Sequence, residues 1–120
     1  MNWFRKVLGT SRAQGLPAAS AADTASSLPA GAVLVDVRSP DEFDSGHLEG
    51  AVSLPLDRIQ FDIARAVPER TTPLVLYCRS GARSGRACTL LAEMGYGQVT
   101  NGGAIGSLAL RLNRTLTVRR

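Results

Sequence analysis

Two short apolar runs limit the choice of fold severely: Ala32-Val33-Leu34-Val35, closed by Asp36-Val37, and Leu74-Val75-Leu76-Tyr77, which leads into Cys78. Neither alternates apolar with polar residues, so neither suits a strand with one wet face. Runs of this length mark strands buried on both faces of a mainly parallel sheet. Parallel neighbours need crossover connections, and the chain supplies helical stretches to make them. Ser39-Pro40-Asp41-Glu42 is a helix start, with Ser39 as N-cap, Pro40 at the first helical position and acids in the first turn, and Gly46 ends it. Gly50 to Leu54 is a short strand closed by Pro55. Asp57 to Val67 repeats Ile59, Ile63 and Ala66 on one face of a helix, and Pro68 stops it. Ser84 to Met94 places Ala87, Cys88, Leu91 and Met94 on one side, with Gly95 as C-cap. Gln98-Val99-Thr100 is a last short strand, after which Asn101-Gly102-Gly103 turns the chain into a helix from Ala104 to about Leu112. The order predicts an α/β fold: a central, mainly parallel sheet of four to five short strands with helices on both faces.

The 120 residues amount to one domain, and 44% apolar with 20% charged residues fits an ordinary globular protein. The domain is expected over 31–112. Before it, 1–30 is an N-terminal segment, partly flexible or helical: Trp3, Phe4, Val7 and Leu8 recur at helical spacing, and Ala18 to Leu28 fits one helix. After it, 113–120 is a basic tail. The net charge of +4 comes almost wholly from arginine, but without interleaved aromatics it does not point to nucleic acid. No run reaches the roughly 18 apolar residues of a transmembrane helix. The N-terminus breaks at Gly9 before a signal-peptide core forms, so a cytoplasmic protein is expected. Two cysteines do not make a disulfide scaffold.

Cys78-Arg79-Ser80-Gly81-Ala82-Arg83-Ser84 carries the chemistry. The preceding strand delivers Cys78 to the carboxyl edge of the sheet, where open α/β sheets place their ligands. Gly81 permits the sharp turn that must follow. With Ser84 opening the next helix, loop N–H groups and the positive end of the helix dipole converge on the sulfur. Arg79, Arg83 and Arg86 add positive charge, and no acidic residue lies between Glu69 and Glu93. Each influence favours thiolate over thiol, so Cys78 is expected to be nucleophilic near neutral pH. Asp36, closing the first run, projects toward the same rim.

Val35-Asp36-Val37-Arg38-Ser39-Pro40-Asp41-Glu42-Phe43, Gly46-His47-Leu48-Glu49-Gly50-Ala51, Leu54-Pro55, the Cys78 loop and Gly102-Gly103 together resemble a single-domain rhodanese, of the phage-shock-protein-E-like subgroup, from about Ala32 to Leu112. The resemblance implies a thiosulfate sulfurtransferase. Cys78 takes the sulfane sulfur of thiosulfate as a persulfide, sulfite leaves, and a thiol, cyanide or a thioredoxin-like protein accepts the sulfur. Arg79, Ser80, Gly81, Ala82, Arg83 and Ser84 form the donor cradle, and Asp36 braces Arg83 or accepts from loop N–H groups. Related phosphatases place five residues between cysteine and arginine, whereas only Arg79 to Ala82 separate Cys78 from Arg83, a smaller ring suited to sulfur. A persulfide carrier fed by another protein, or a partner-binding module, is the alternative, with a phosphatase or arsenate reductase disfavoured by loop length.

The remaining candidates have structural readings. His47, the sole histidine, is expected to order a loop, and Cys88 to be a small core residue. Arg38 and Glu42 are expected to pair with each other, and Gly102-Gly103 to bring backbone close to the cysteine loop. No metal or cofactor is expected. Many rhodanese domains carry a tryptophan shortly after the double glycine; this chain has Ala104-Ile105-Gly106-Ser107-Leu108 instead.

Overall fold

The computed structural model describes residues 28–118. In chain order the elements are β1 (Val33–Asp36), α1 (Pro40–Ser45), β2 (His47–Leu48), β3 (Val52–Ser53), α2 (Ile59–Ala66), β4 (Leu74–Cys78), α3 (Ala82–Glu93), β5 (Val99–Ala104), α4 (Ile105–Leu112) and β6 (Leu116–Thr117). One sheet has the order β3-β1-β4-β5, parallel throughout. Its two central strands are the two apolar runs, in register from Val33 opposite Leu74 to Asp36 opposite Tyr77. Burial on both sides is what an all-apolar strand requires, and β4 is buried at all five positions.

The two-residue period of the strands sorts their side chains between two cores. Val35, Leu74, Leu76 and Cys78 face one cluster, completed by Ile59 and Ile63 of α2 and Ala87 and Leu91 of α3. Leu34, Val75 and Tyr77 face the other, completed by Leu48 of β2 and Leu108 of α4. Helices therefore cover both faces. Leu74, Leu76, Leu91, Ile59 and Ile63 are fully buried, each contributing about 1.5–3 kcal/mol of transfer free energy. Helix α1 starts as its sequence requires: the Ser39 hydroxyl accepts from the Glu42 N–H at 3.2 Å, and the Glu42 carboxylate accepts from the Ser39 N–H at 3.0 Å.

The structure departs from the sequence expectations at three places. Helix α3 begins at Ala82, two residues before Ser84, because Gly81 takes the N-cap position at φ 102°. The double glycine lies inside β5 and not in a turn after it: Leu76 pairs with Asn101 but Tyr77 with Gly103, so Gly102 is the extra residue of a bulge. Thr117 and Leu116, within the stretch set apart as a tail, pair antiparallel with His47 and Leu48 as β6 on β2. The helical expectations for 1–15 and for 18–27 lie outside the described residues; Leu28 packs against the second core.

The bulge sits in a tight place. A Cβ at Gly102 would lie 2.9 Å from Leu108 Cδ2, 3.0 Å from Leu76 O and 3.0 Å from Val75 Cγ1. Backbone and core strand cannot both yield, so Gly102→Ala is expected to destabilise the fold by about 1–3 kcal/mol, as overpacked cores do. A urea midpoint equal to that of the parent would contradict this packing.

Candidate active site

Cys78 is the last residue of β4 and is buried. A buried thiolate is costly unless donors reach it, and the chain folds back at once to supply them. Gly81 makes the reversal at φ 102°, a conformation that penalises any side chain. Its N–H donates to Cys78 Sγ at 2.9 Å. The Ser84 hydroxyl lies 3.6 Å from the same sulfur. Burial pushes the Cys78 thiol up, but the Ser84 hydroxyl and the N–H groups of Ser84, Gly81 and Ser80 outweigh it, leaving the pKa lowered to about 7. The arginines expected to share this task stand outside these leading causes.

Ser84 is thus not the N-cap but a residue of the first turn of α3, and its hydroxyl has three acceptors within reach. Nearest is Asn101 Oδ1 at 2.6 Å, ahead of Gly81 O at 3.2 Å and Cys78 Sγ at 3.6 Å. Asn101 does more than share that proton with Cys78. Its Nδ2 donates to Gly81 O at 3.1 Å, and its Oδ1 also accepts from Gly103 N at 3.0 Å. One amide therefore ties β5 to the cysteine loop. Sequence reading missed it, because Asn101-Gly102 carries the chemistry of a turn and only the pairing of β5 with β4 brings it to the loop.

The four charged residues at the rim pair differently from expectation. Arg83 binds Glu42 through two bonds, Nη1 to Oε1 at 2.7 Å and Nη2 to Oε2 at 3.0 Å. Asp36, fully buried, accepts from the Arg38 N–H at 2.9 Å, from Nε at 2.9 Å and from Nη2 at 2.7 Å. Arg38 Nη2 also donates to Gly46 O at 2.6 Å. The expected pairs Asp36–Arg83 and Arg38–Glu42 are therefore exchanged. Arg38 follows Asp36 closely enough to fold back onto it, while α1 points Glu42 across at the loop. The Arg83 hydrogen bonds hold the Glu42 carboxyl down to about 2.

The Glu42–Arg83 pair also stands between two clefts. Arg83 lines one of about 620 Å³; Glu42 and Arg79 line another of about 420 Å³. Arg79 and Arg83, expected to serve one anion together, thus open onto different clefts. Ser80 accepts weakly from Ala82 N at 3.4 Å. His47 is an ordering residue: Nδ1 lies 2.7 Å from Phe43 O and the ring stacks on Phe43 at 3.7 Å. Cys88 packs against the first core, and burial raises its thiol to about 11. Gly103 lies against the loop as expected, its Cα 3.4 Å from where a Cβ on Gly81 would sit.

A family model described as a Rhodanese-like domain matches residues 20–103. Over 76 residues the chain is 38% identical to the thiosulfate sulfurtransferase PspE of Escherichia coli, spanning 63% of this chain and 73% of that one. Over 69 residues it is 43% identical to a sulfurtransferase of Allochromatium vinosum, spanning 58% and 63%. Among solved structures, a rhodanese with anions from E. coli superposes with a TM-score of 0.61 at 37% identity, over 62% of this chain and 88% of that one.

Two pH dependences follow from the site. The rate of Cys78 alkylation by iodoacetamide is expected to rise through a midpoint near pH 7. In Ser84→Ala the midpoint moves up, since backbone donors alone then oppose burial; a midpoint unmoved or lowered would exclude this role. Glu42 titrates lower in the folded state, about 2, than its ordinary 4.5. Its contribution to stability is therefore complete above about pH 4.5 and lost as pH falls toward 2. The side chains of Arg83 and Glu42 are 36% and 27% exposed, so solvent keeps the effect small. Glu42→Gln retains a capping side chain, and its acid unfolding curve should be flatter than the parent's across this window; parallel curves would show that the ion pair contributes nothing.

Proposed function

The chain belongs to the Rhodanese-like domain family, and from that premise we propose that it is an enzyme moving sulfane sulfur from thiosulfate to a thiophilic acceptor through a persulfide on Cys78. The observation that carries the reading is the free thiol at the end of β4, with a donor N–H at 2.9 Å and a pKa lowered to about 7. The relatives named as sulfurtransferases support the same chemistry.

In the first step the Cys78 thiolate attacks the outer sulfur of thiosulfate. The S–S bond of the donor breaks, its electron pair leaves with sulfite, and Cys78 carries the transferred sulfur. In the second, cyanide or a thiolate, on a small molecule or a thioredoxin-like protein, attacks that outer sulfur, and the electron pair of the Cys–S–S bond returns to Cys78. Both steps are displacements at sulfur, so no cofactor enters. The N–H groups of Ser80, Gly81 and Ser84 steady the negative charge on Cys78 Sγ before the first step and again as the second returns it. Arg79 draws the anionic donor to the loop from the cleft it shares with Glu42, while Arg83, matched by Glu42, braces the loop. Asp36 supports the rim at one remove, by holding Arg38, while Glu42 and Asn101 brace the loop itself.

Intact mass after incubation with thiosulfate tests the proposal. The wild type should gain one sulfur atom that cyanide then removes, and Cys78→Ser should gain none. A wild type that gains sulfur only from a second persulfide-bearing protein would replace the enzyme by a protein-fed carrier. No gain from any donor would end both readings.

A further inference from the structure

We propose that the cleft between α2 and α3 is the acceptor subsite, and that it fits a small thiol carrying both a carboxylate and an amino group. The inference rests on the sulfurtransferase reading. Arg83, Arg86 and Leu90 recur at helical spacing along one face of α3, Asp57 comes from the turn before α2 and Gln60 from its first turn. The floor is Val37, Leu56 and Leu90, which belong to or pack against the cluster that contains Cys78. The cleft reaches the cysteine loop through Arg83, and through Val37, whose N–H donates at 3.1 Å to the carbonyl of Tyr77, the residue before Cys78. Its volume of about 620 Å³ lies within the range of small-molecule sites, about 300–1,000 Å³.

Charge selects the occupant. Arg83 is already matched by Glu42. Arg86 and Asp57 have no ion-pair partner among the described residues; even the neighbouring Arg58 turns to Asp62. An unmatched cation on one wall and an unmatched anion on the other, over an apolar floor, complement a zwitterion with a short aliphatic body. Thiosulfate is a poor fit, since its charge gains from Arg86 but meets Asp57. A thiol held by its two charged ends is brought to the persulfide. Its thiolate bonds to the outer sulfur, the Cys78 S–S bond breaks, and the electron pair remains on Cys78 as thiolate.

The test separates transfer from loading. Protein loaded with sulfur by inorganic polysulfide is mixed with 2-mercaptoethanol, mercaptoacetate, cysteamine or cysteine, and sulfur loss is followed by mass. For each variant the rate with a charged thiol is divided by its own rate with 2-mercaptoethanol, so a change at the sulfur cancels. Arg86→Ala should lower the mercaptoacetate ratio about fivefold and leave the cysteamine ratio alone, the size expected for one exposed charge contact. Asp57→Asn should do the reverse, and cysteine should be sensitive to both. Ratios unchanged in both variants would overturn the proposal. So would unchanged ratios with slower loading from thiosulfate in Arg86→Ala, which would give the cleft to the donor. Because polysulfide supplies the sulfur, failure of thiosulfate to load the wild type counts against the preceding reading alone.

Discussion

A sulfur anion buried at the end of a strand is tolerable only if hydrogen-bond donors surround it, and the organisation of this fold follows from that requirement. Desolvation opposes the Cys78 thiolate more than any other single influence, yet the net effect lowers its pKa to about 7. The difference is made by groups within six residues along the chain, brought round by Gly81 in a conformation that suits no other residue well. The loop is therefore closed by backbone geometry, and charge from arginine is secondary. A sequence that kept every arginine and lost Gly81 would keep the field and lose the donor.

Closing a loop tightly costs conformational entropy, which must be offset by contacts from elsewhere. They arrive from three directions. Helix α1 supplies Glu42, which caps its own helix and grips Arg83. Strand β5 supplies Asn101, bonded to Ser84 and to Gly81 O. Helix α3 supplies Ser84 itself. Each element is short, so each depends on the shared cores beneath: α3 through Ala87 and Leu91, β4 through its five buried residues. Cys78 is also a packing residue, which is why it stays aligned.

Much of this was legible in the chain. The two apolar runs became the central strands because their composition excludes a wet face, and Ser39-Pro40-Asp41-Glu42 became a capped helix because local chemistry suffices for a cap. The partners of Asp36, Arg38, Glu42 and Arg83 were not legible, since two pairings satisfy the same charges and only the angle between α1 and the loop decides. Ser84 was misplaced because its hydroxyl suits both an N-cap and a bond inside the first turn, and the αL glycine before it took the cap position. Asn101 was invisible for a different reason: its partners in the cysteine loop lie 17 and 20 residues away in sequence and become neighbours only when β5 joins the sheet.

The bulge at Gly102 has a consequence of parity. Val99 packs against the first core and Asn101 reaches the loop above it, whereas the helix that follows β5 puts Leu108 into the second core. The inserted residue makes the change of side within β5 itself: Asn101 lies opposite Leu76 of the first core, and Gly103, two residues on, opposite Tyr77 of the second. Strand side chains alternate with a period of two, so removal of one residue here turns over everything that follows it. This edge of the sheet tolerates changes of length by twos and not by ones, a constraint on insertions and deletions that no single side chain carries.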